Sequence, residues 1–197
     1  LAGELLEEAI ALGLRTGLGD DRLHIGHLKY FADGGMGART AWMLEPYLDA
    51  ECGMPLGSMD ELSKKIAAAE KAGLAVIVHA IGDRANRVVL NVYEELFAKN
   101  PEKKNLRWRI EHAQHLHPDD IGRFAELGVI PAMQAIHCTS DGPWVYKRLG
   151  ERRAKEGAYV WRKLIETGAV VTNGTDVPVE PIDPIPGFHA SVTRLMK

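Results

Sequence analysis

Leu74-Ala-Val-Ile-Val78, followed directly by His79, and Arg107-Trp-Arg-Ile-Glu111, followed directly by His112, decide the fold. The first run is continuous and rich in β-branched residues, as in a strand buried on both faces. A helical pattern precedes it. Ser58-Met-Asp-Glu61 is a capping box that opens a helix through Ala72, and Gly73 ends it. A second helix is predicted over about 84–99, between the two strands. His117-Pro-Asp-Asp120 starts a third, which runs to Leu127 and ends at Gly128.

The same rhythm extends in both directions. Val129 to Met133 reads as a strand, with Pro131 suited to its end. Tyr159 to Thr167 reads as a helix, Ala169 to Thr172 as the last strand, and Pro178, Pro181, Pro184 and Pro186 as a loop. The apolar and basic stretch Ala190–Lys197 reads as an unfinished helix without a C-cap glycine. Toward the N-terminus, Leu5 to Leu14 has helical spacing and His24 to Phe31 alternates like a strand. A glycine-rich loop, Asp33-Gly-Gly-Met-Gly37, and an irregular region through Pro55 follow. Strand and helix alternate about five times, which means α/β with a parallel sheet and crossover helices. An open doubly wound sheet and part of a (β/α)₈ barrel both fit. Periodicity alone leaves that choice open.

Composition excludes several classes. The formal net charge of -3 provides no basic field for nucleic acid. No apolar run reaches the roughly 20 residues of a membrane helix. Two cysteines are too few for a disulfide framework, which fits a reducing compartment, and a cytoplasmic location is the expectation. No strand is followed by G-x-G-x-x-G or a P-loop, so a nucleotide-binding role lacks support. The chain starts at Leu1 and stops within an apolar stretch. The expectation is a piece of a longer protein.

The polar residues fall at matching places. Lys29 lies near the end of the first strand, and His79 and His112 close the next two. Gln134 ends the fourth, with His137 three residues on, and Asp176 closes the fifth strand region. One histidine after a strand is usually a cap or a hydrogen-bonding residue. A Lys, two His and an Asp at the C-terminal ends of successive parallel strands form the rim where barrel enzymes build their chemistry. Neutral imidazoles suit Zn²⁺ and similar ions, and a carboxylate beside an activated water can take its proton. An ammonium has no lone pair, so Lys29 serves a metal only if altered or deprotonated.

These motifs resemble the amidohydrolase superfamily. The resemblance rests on Lys29-Tyr-Phe-Ala-Asp-Gly-Gly-Met-Gly-Ala-Arg-Thr-Ala41, Val78-His-Ala-Ile-Gly-Asp-Arg-Ala85, Arg109-Ile-Glu-His-Ala-Gln114, Met133-Gln-Ala-Ile-His137 with Asp141, and Asn173-Gly-Thr-Asp-Val-Pro-Val179. The branch is amidohydrolase family 3, the group similar to N-substituted formamide deformylase. The resemblance implies a partial (β/α)₈ TIM barrel, about its last five β/α units, with all of residues 1–197 in one domain. The first barrel strands and a small β-sandwich would lie outside the chain.

It implies a divalent metal, Zn²⁺ in expectation, as one or two ions. Lys29 would be a carboxylated bridging ligand, His79 and His112 the histidine ligands, and Asp176 the general base and a further ligand. The family's His-x-His pair is missing, because His24 and His27 stand three apart on the Lys29 strand. Arg39, His137 and Asp141 are candidate substrate contacts, the last two on a rim loop; an ion pair holding its own loop is as good a role for Arg39. Asp83 is expected to cap the helix after His79. The implied reaction is hydrolysis of a non-peptide amide carbon–nitrogen bond in a small-molecule substrate. A cyclic amidase, a deaminase and a non-catalytic remnant are the rivals, and a homodimer is left open.

Overall fold

The computed structural model describes residues 1–195. Five strands, β1 (Leu28–Phe31), β2 (Val76–Ala80), β3 (Arg109–His112), β4 (Ile130–Met133) and β5 (Thr172–Asn173), form one sheet in the order β1-β2-β3-β4-β5. Every pairing is parallel. This order settles what periodicity leaves open. A doubly wound sheet reverses direction at a switch point, whereas here each crossover steps one place the same way, as in a barrel.

The helices α2 (Met59–Lys71), α3 (Asp83–Lys99), α4 (Pro118–Leu127) and α7 (Trp161–Glu166) cover one face of the sheet. Leu28 and Tyr30 of β1, Val76 and Val78 of β2 and Ile110 of β3 pack there against Ile66, Leu90, Tyr93, Phe124 and Leu164. Strand side chains alternate between faces. The register therefore sets Phe31, His79, Glu111 and Ala132 in one row on the other face, with Lys29, Ile77, Arg109 and Ile130 in the row behind. A second small core, with Met36, Met43, Tyr47, Leu149 and Tyr159, packs the 33–55 loop over the rim.

The elements depart from expectation in definite places. Strand β1 begins at Leu28 rather than near His24, because residues 17–25 fold back on themselves through Gly17–Ile25 and Ile25–Leu18 hydrogen bonds. Helix α1 (Leu6–Ala11) is shorter than expected, and Gly13 leaves it with a φ of 67°. Pro131 lies inside β4 rather than at its end; pairing with β5 starts only at Ala132. The stretch expected to be a rim loop after β4 holds two helices, α5 (Ala135–Ser140) and α6 (Gly142–Gly157). Helix α8 (Pro184–Thr193) starts within the proline loop, where Asp183 Oδ1 accepts the Ile185 N–H at 3.0 Å and Pro184 takes the first helical position. It ends at Arg194, which is left-handed, instead of running on. The rest of the helix expected through Lys197 lies outside the described residues.

Candidate metal centre

The site is built from strand ends. His79 stands on the concave face of β2 by alternation. His112 does not follow alternation, which would send it to the helix face with Ile110. Left-handed φ values of 73° at His112 and 43° at Ala113 turn the end of β3 and re-aim the imidazole. Its ring then meets His79 edge-on at 4.4 Å between centroids and lies 5.9 Å from His137. His137 is carried by α5, immediately after β4. Asp176 is also left-handed, with φ 58°, and its Oδ2 lies 3.2 Å from His137 Nε2. Such conformations cost about 1–3 kcal/mol each in non-glycine residues and cluster at functional sites.

One ligand-type atom from each of His112, His137 and Asp176 lies within 4.8 Å of the others. Chemistry agrees with geometry. Burial, reinforced by His79 and Lys29, drops the His112 pKa to about 2, and burial drops that of His79 to about 4. Both rings are therefore neutral at pH 7, the form that binds a cation. His112 Nδ1 is buried without a hydrogen-bond partner. His79 Nε2 bonds the Gly34 carbonyl at 3.2 Å, which makes Nδ1 the ring nitrogen available to a ligand. Burial also lowers the Lys29 pKa, opposed by Glu111 and Asp176. The donor set fits a divalent cation.

Six of the seven residues singled out from sequence line one cleft of about 600 Å³: Lys29, His79, His112, His137, Asp141 and Asp176. Arg39 does not. It lies outside on the loop after β1, where its guanidinium pairs with Asp49 at 2.7 Å, so the loop-holding role fits it. His137 and Asp141 sit on α5 and at its C-terminal end rather than on a rim loop. Asp83 is not a helix cap: Gly82 holds that position, and Asp83 Oδ1 accepts the Leu44 N–H at 2.7 Å. His24 and His27 lie at the opposite end of the sheet, where His27 Nε2 meets the Arg107 carbonyl at 2.9 Å.

Sequence reasoning passed over four residues. Glu111 shares the His79 row, and strand alternation was signal enough to find it. Glu180 Oε1 lies 3.3 Å from His137 Nδ1, on a stretch with no periodic pattern. Gln114 lines the cleft just past β3. Asp33 is completely buried and accepts the N–H groups of Trp42, Ile81 and Gly82. Burial outweighs those bonds and raises its pKa to about 6. It ties the loop after β1 to the turn after β2, with Oδ1 3.6 Å from His79 Nε2.

A barrel-type sheet whose strand ends gather neutral imidazoles and a carboxylate has the build of a metal-dependent hydrolase. Residues 2–196 match the Amidohydro_3 model, described as "Amidohydrolase family", and the chain belongs to amidohydrolase family 3. It is 38% identical over 175 residues to Protein LONG AFTER FAR-RED 3 of Arabidopsis thaliana, covering 88% of this chain and 30% of that protein. It is 39% identical over 174 residues to Putative amidohydrolase YtcJ of Bacillus subtilis, covering 87% and 32%. Among solved structures, an uncharacterized metal-dependent hydrolase from Pyrococcus furiosus superposes with a TM-score of 0.86 at 37% identity, over 98% of this chain and 39% of that one. The chain thus spans about a third of the length of these relatives.

Proposed function

We propose that this chain supplies one side of a divalent metal centre in a hydrolase that cleaves a non-peptide amide carbon–nitrogen bond. The observation that carries the reading is the convergence of His112, His137 and Asp176 within 4.8 Å at the mouth of one cleft. Zn²⁺ is the ion that this donor set suits best. When bound, the cation supplies Lewis-acid chemistry, lowering the pKa of water and polarising a carbonyl. His79 and His112 would hold it through neutral ring nitrogens, with His137 as a third imidazole. Asp176 accepts a proton from the attacking water at a carboxylate oxygen and returns it to the departing nitrogen. Glu180 at His137 Nδ1 orients the ring, which leaves Nε2, beside Asp176 Oδ2, for the ion.

Lys29 takes part as a carbamate. A neutral amine is the form that adds carbon dioxide, and burial lowers the Lys29 pKa toward that form. The carbamate then offers oxygen donors in place of an ammonium.

Two variants of the longer protein test the reading. Asp176→Asn should lower kcat/KM by about 10²–10⁴ while bound metal stays above half of the wild-type content. Near wild-type turnover would sink the proton-transfer role. Lys29→Ala should lower metal content as read by mass spectrometry, with partial return on adding short carboxylic acids. Unchanged stoichiometry would remove Lys29 from the centre.

A further inference from the structure

Asp141 occupies a position where a carboxylate normally caps a helix. It directly precedes α6, yet its side chain makes no capping bond. Instead the carboxylate turns to the cleft wall. Gln114 Nε2 donates to Oδ2 at 2.8 Å, and the Tyr159 hydroxyl lies 2.8 Å from the same oxygen. Gln114 Nε2 also reaches the Tyr159 hydroxyl at 2.8 Å, which closes a triangle. The tyrosine hydroxyl is within 3.0 Å of the His137 carbonyl as well. Both anchors are buried, while Asp141 is half-buried and lines the same cleft as His112 and Asp176. Oδ1 accepts no hydrogen bond from any described residue, and Asp141 enters no ion pair among them. Forgoing a cap costs about 1 kcal/mol. Two buried anchors hold the side chain by Oδ2 where Asp141 lines the cleft, and Oδ1 is left without a partner among the described residues.

Position sets the spacing. Asp141 lies four residues past His137, and its N–H donates to the His137 carbonyl at 2.8 Å. One helical turn separates them, a rise of about 6 Å. Phe31, Met36, Ile81 and Val179 provide the apolar part of the wall. A carboxylate fixed about one turn from the metal-binding imidazole, beside apolar walls, matches a short apolar spacer that ends in a cationic donor.

We propose that Asp141 is a specificity residue that recognises a primary ammonium on the substrate, so that the cleft takes amides carrying a free amine a short alkyl chain away from the scissile bond. The inference rests on the hydrolase reading for where the scissile bond sits. It does not rest on that reading for the ammonium site itself.

The test uses the metal-loaded longer protein and two matched amides, N-(4-aminobutyl)acetamide and the near-isosteric N-pentylacetamide. Binding is measured by calorimetry at pH 7 and low salt, and hydrolysis by release of acetate. The cationic amide should bind at least tenfold more tightly, and Asp141→Asn should bring that ratio to about one. Tighter cation binding without turnover supports the ammonium site and counts against the hydrolase reading. Turnover of both amides without preference for the cation overturns the ammonium site and leaves the hydrolase reading standing. Equal affinity, a preference for the neutral amide, or no binding of either overturns the inference. The wild-type ratio decides these outcomes even if the variant folds poorly.

Discussion

At the scale of single residues, His115 gives the clearest prediction. It is fully buried; Nδ1 has no partner, and Nε2 has only a long 3.5 Å contact with Gln114. Burial and the Arg153 charge lower its pKa to about 3. An unfolded histidine takes up its proton near pH 6.5, whereas the folded one stays neutral until about 3. The unfolded state therefore binds more protons across that window, and stability falls as pH falls below 6.5. The slope from one such group approaches about 1.4 kcal/mol per pH unit. His115→Leu removes an ill-satisfied polar ring at little cost at pH 7. Denaturant unfolding between pH 7 and 5 should show a shallower loss for the variant than for wild type. Equal slopes would mean that His115 is protonated in the folded chain. Much of the candidate centre was legible at this scale. His79 announces itself as the polar residue closing an apolar strand run, whereas Lys29, expected near the end of the first strand, stands second in β1, and Asp176 lies three residues past β5. The orientation of His112 was not legible, because strand alternation points it the wrong way and only two left-handed residues correct it. The company His137 keeps was hidden too, since linear spacing does not show that α5 folds it back toward Asp176.

At the scale of elements, local chemistry was read well where it is strong. Ser58 caps α2, its Oγ accepting the Glu61 N–H at 3.3 Å. Gly73 and Gly128 leave their helices with φ of 78° and 69°. Helices α5 and α6 fall in a stretch for which the sequence pattern predicts no element. Pro143 sits in the first turn of α6, where a proline is tolerated, and Gly150 kinks the helix with φ 75° and ψ 169°. Two substitutions separate stability from site assembly. Ser58→Ala removes an exposed cap and should cost about 1 kcal/mol, with metal content unchanged. Gly82→Ala is different, since a Cβ there would lie 2.0 Å from the Trp42 carbonyl oxygen. The Gly82 N–H also holds Asp33 Oδ2 at 2.8 Å. Overpacking costs about 1–3 kcal/mol, and here it also displaces the loop that carries the Gly34 carbonyl onto His79. Thermal denaturation should show both losses, and metal analysis should show a deficit only for Gly82→Ala. A deficit in both would mean that general destabilisation, not the Asp33 link, governs metal retention.

At the scale of the whole molecule, the sequential strand order makes the sheet a barrel segment, and a barrel of this type closes on eight strands. The five strands present place all their candidate ligands on one concave face, with Lys29 and His79 toward the β1 side and His137 and Asp176 toward the β5 side. Closure matters to the chemistry. An ion facing an open cleft is screened by water, whereas the same donors inside a closed barrel act at lower dielectric and bind more strongly. Apolar side chains point to the same conclusion from outside the site. Ile185, Phe188 and Val192 on α8 and Val170 just before β5 are more than half exposed, at the flank where a further β/α unit would pack. We propose that β/α units outside residues 1–197 close the barrel and complete the metal's coordination. Zn²⁺ titration should then give residues 1–197 alone at least tenfold weaker affinity than the longer protein, with no measurable amide hydrolysis. Equal affinity would show instead that the donors within residues 1–197 hold the ion without help, and any further units would then matter to substrate binding rather than to the metal.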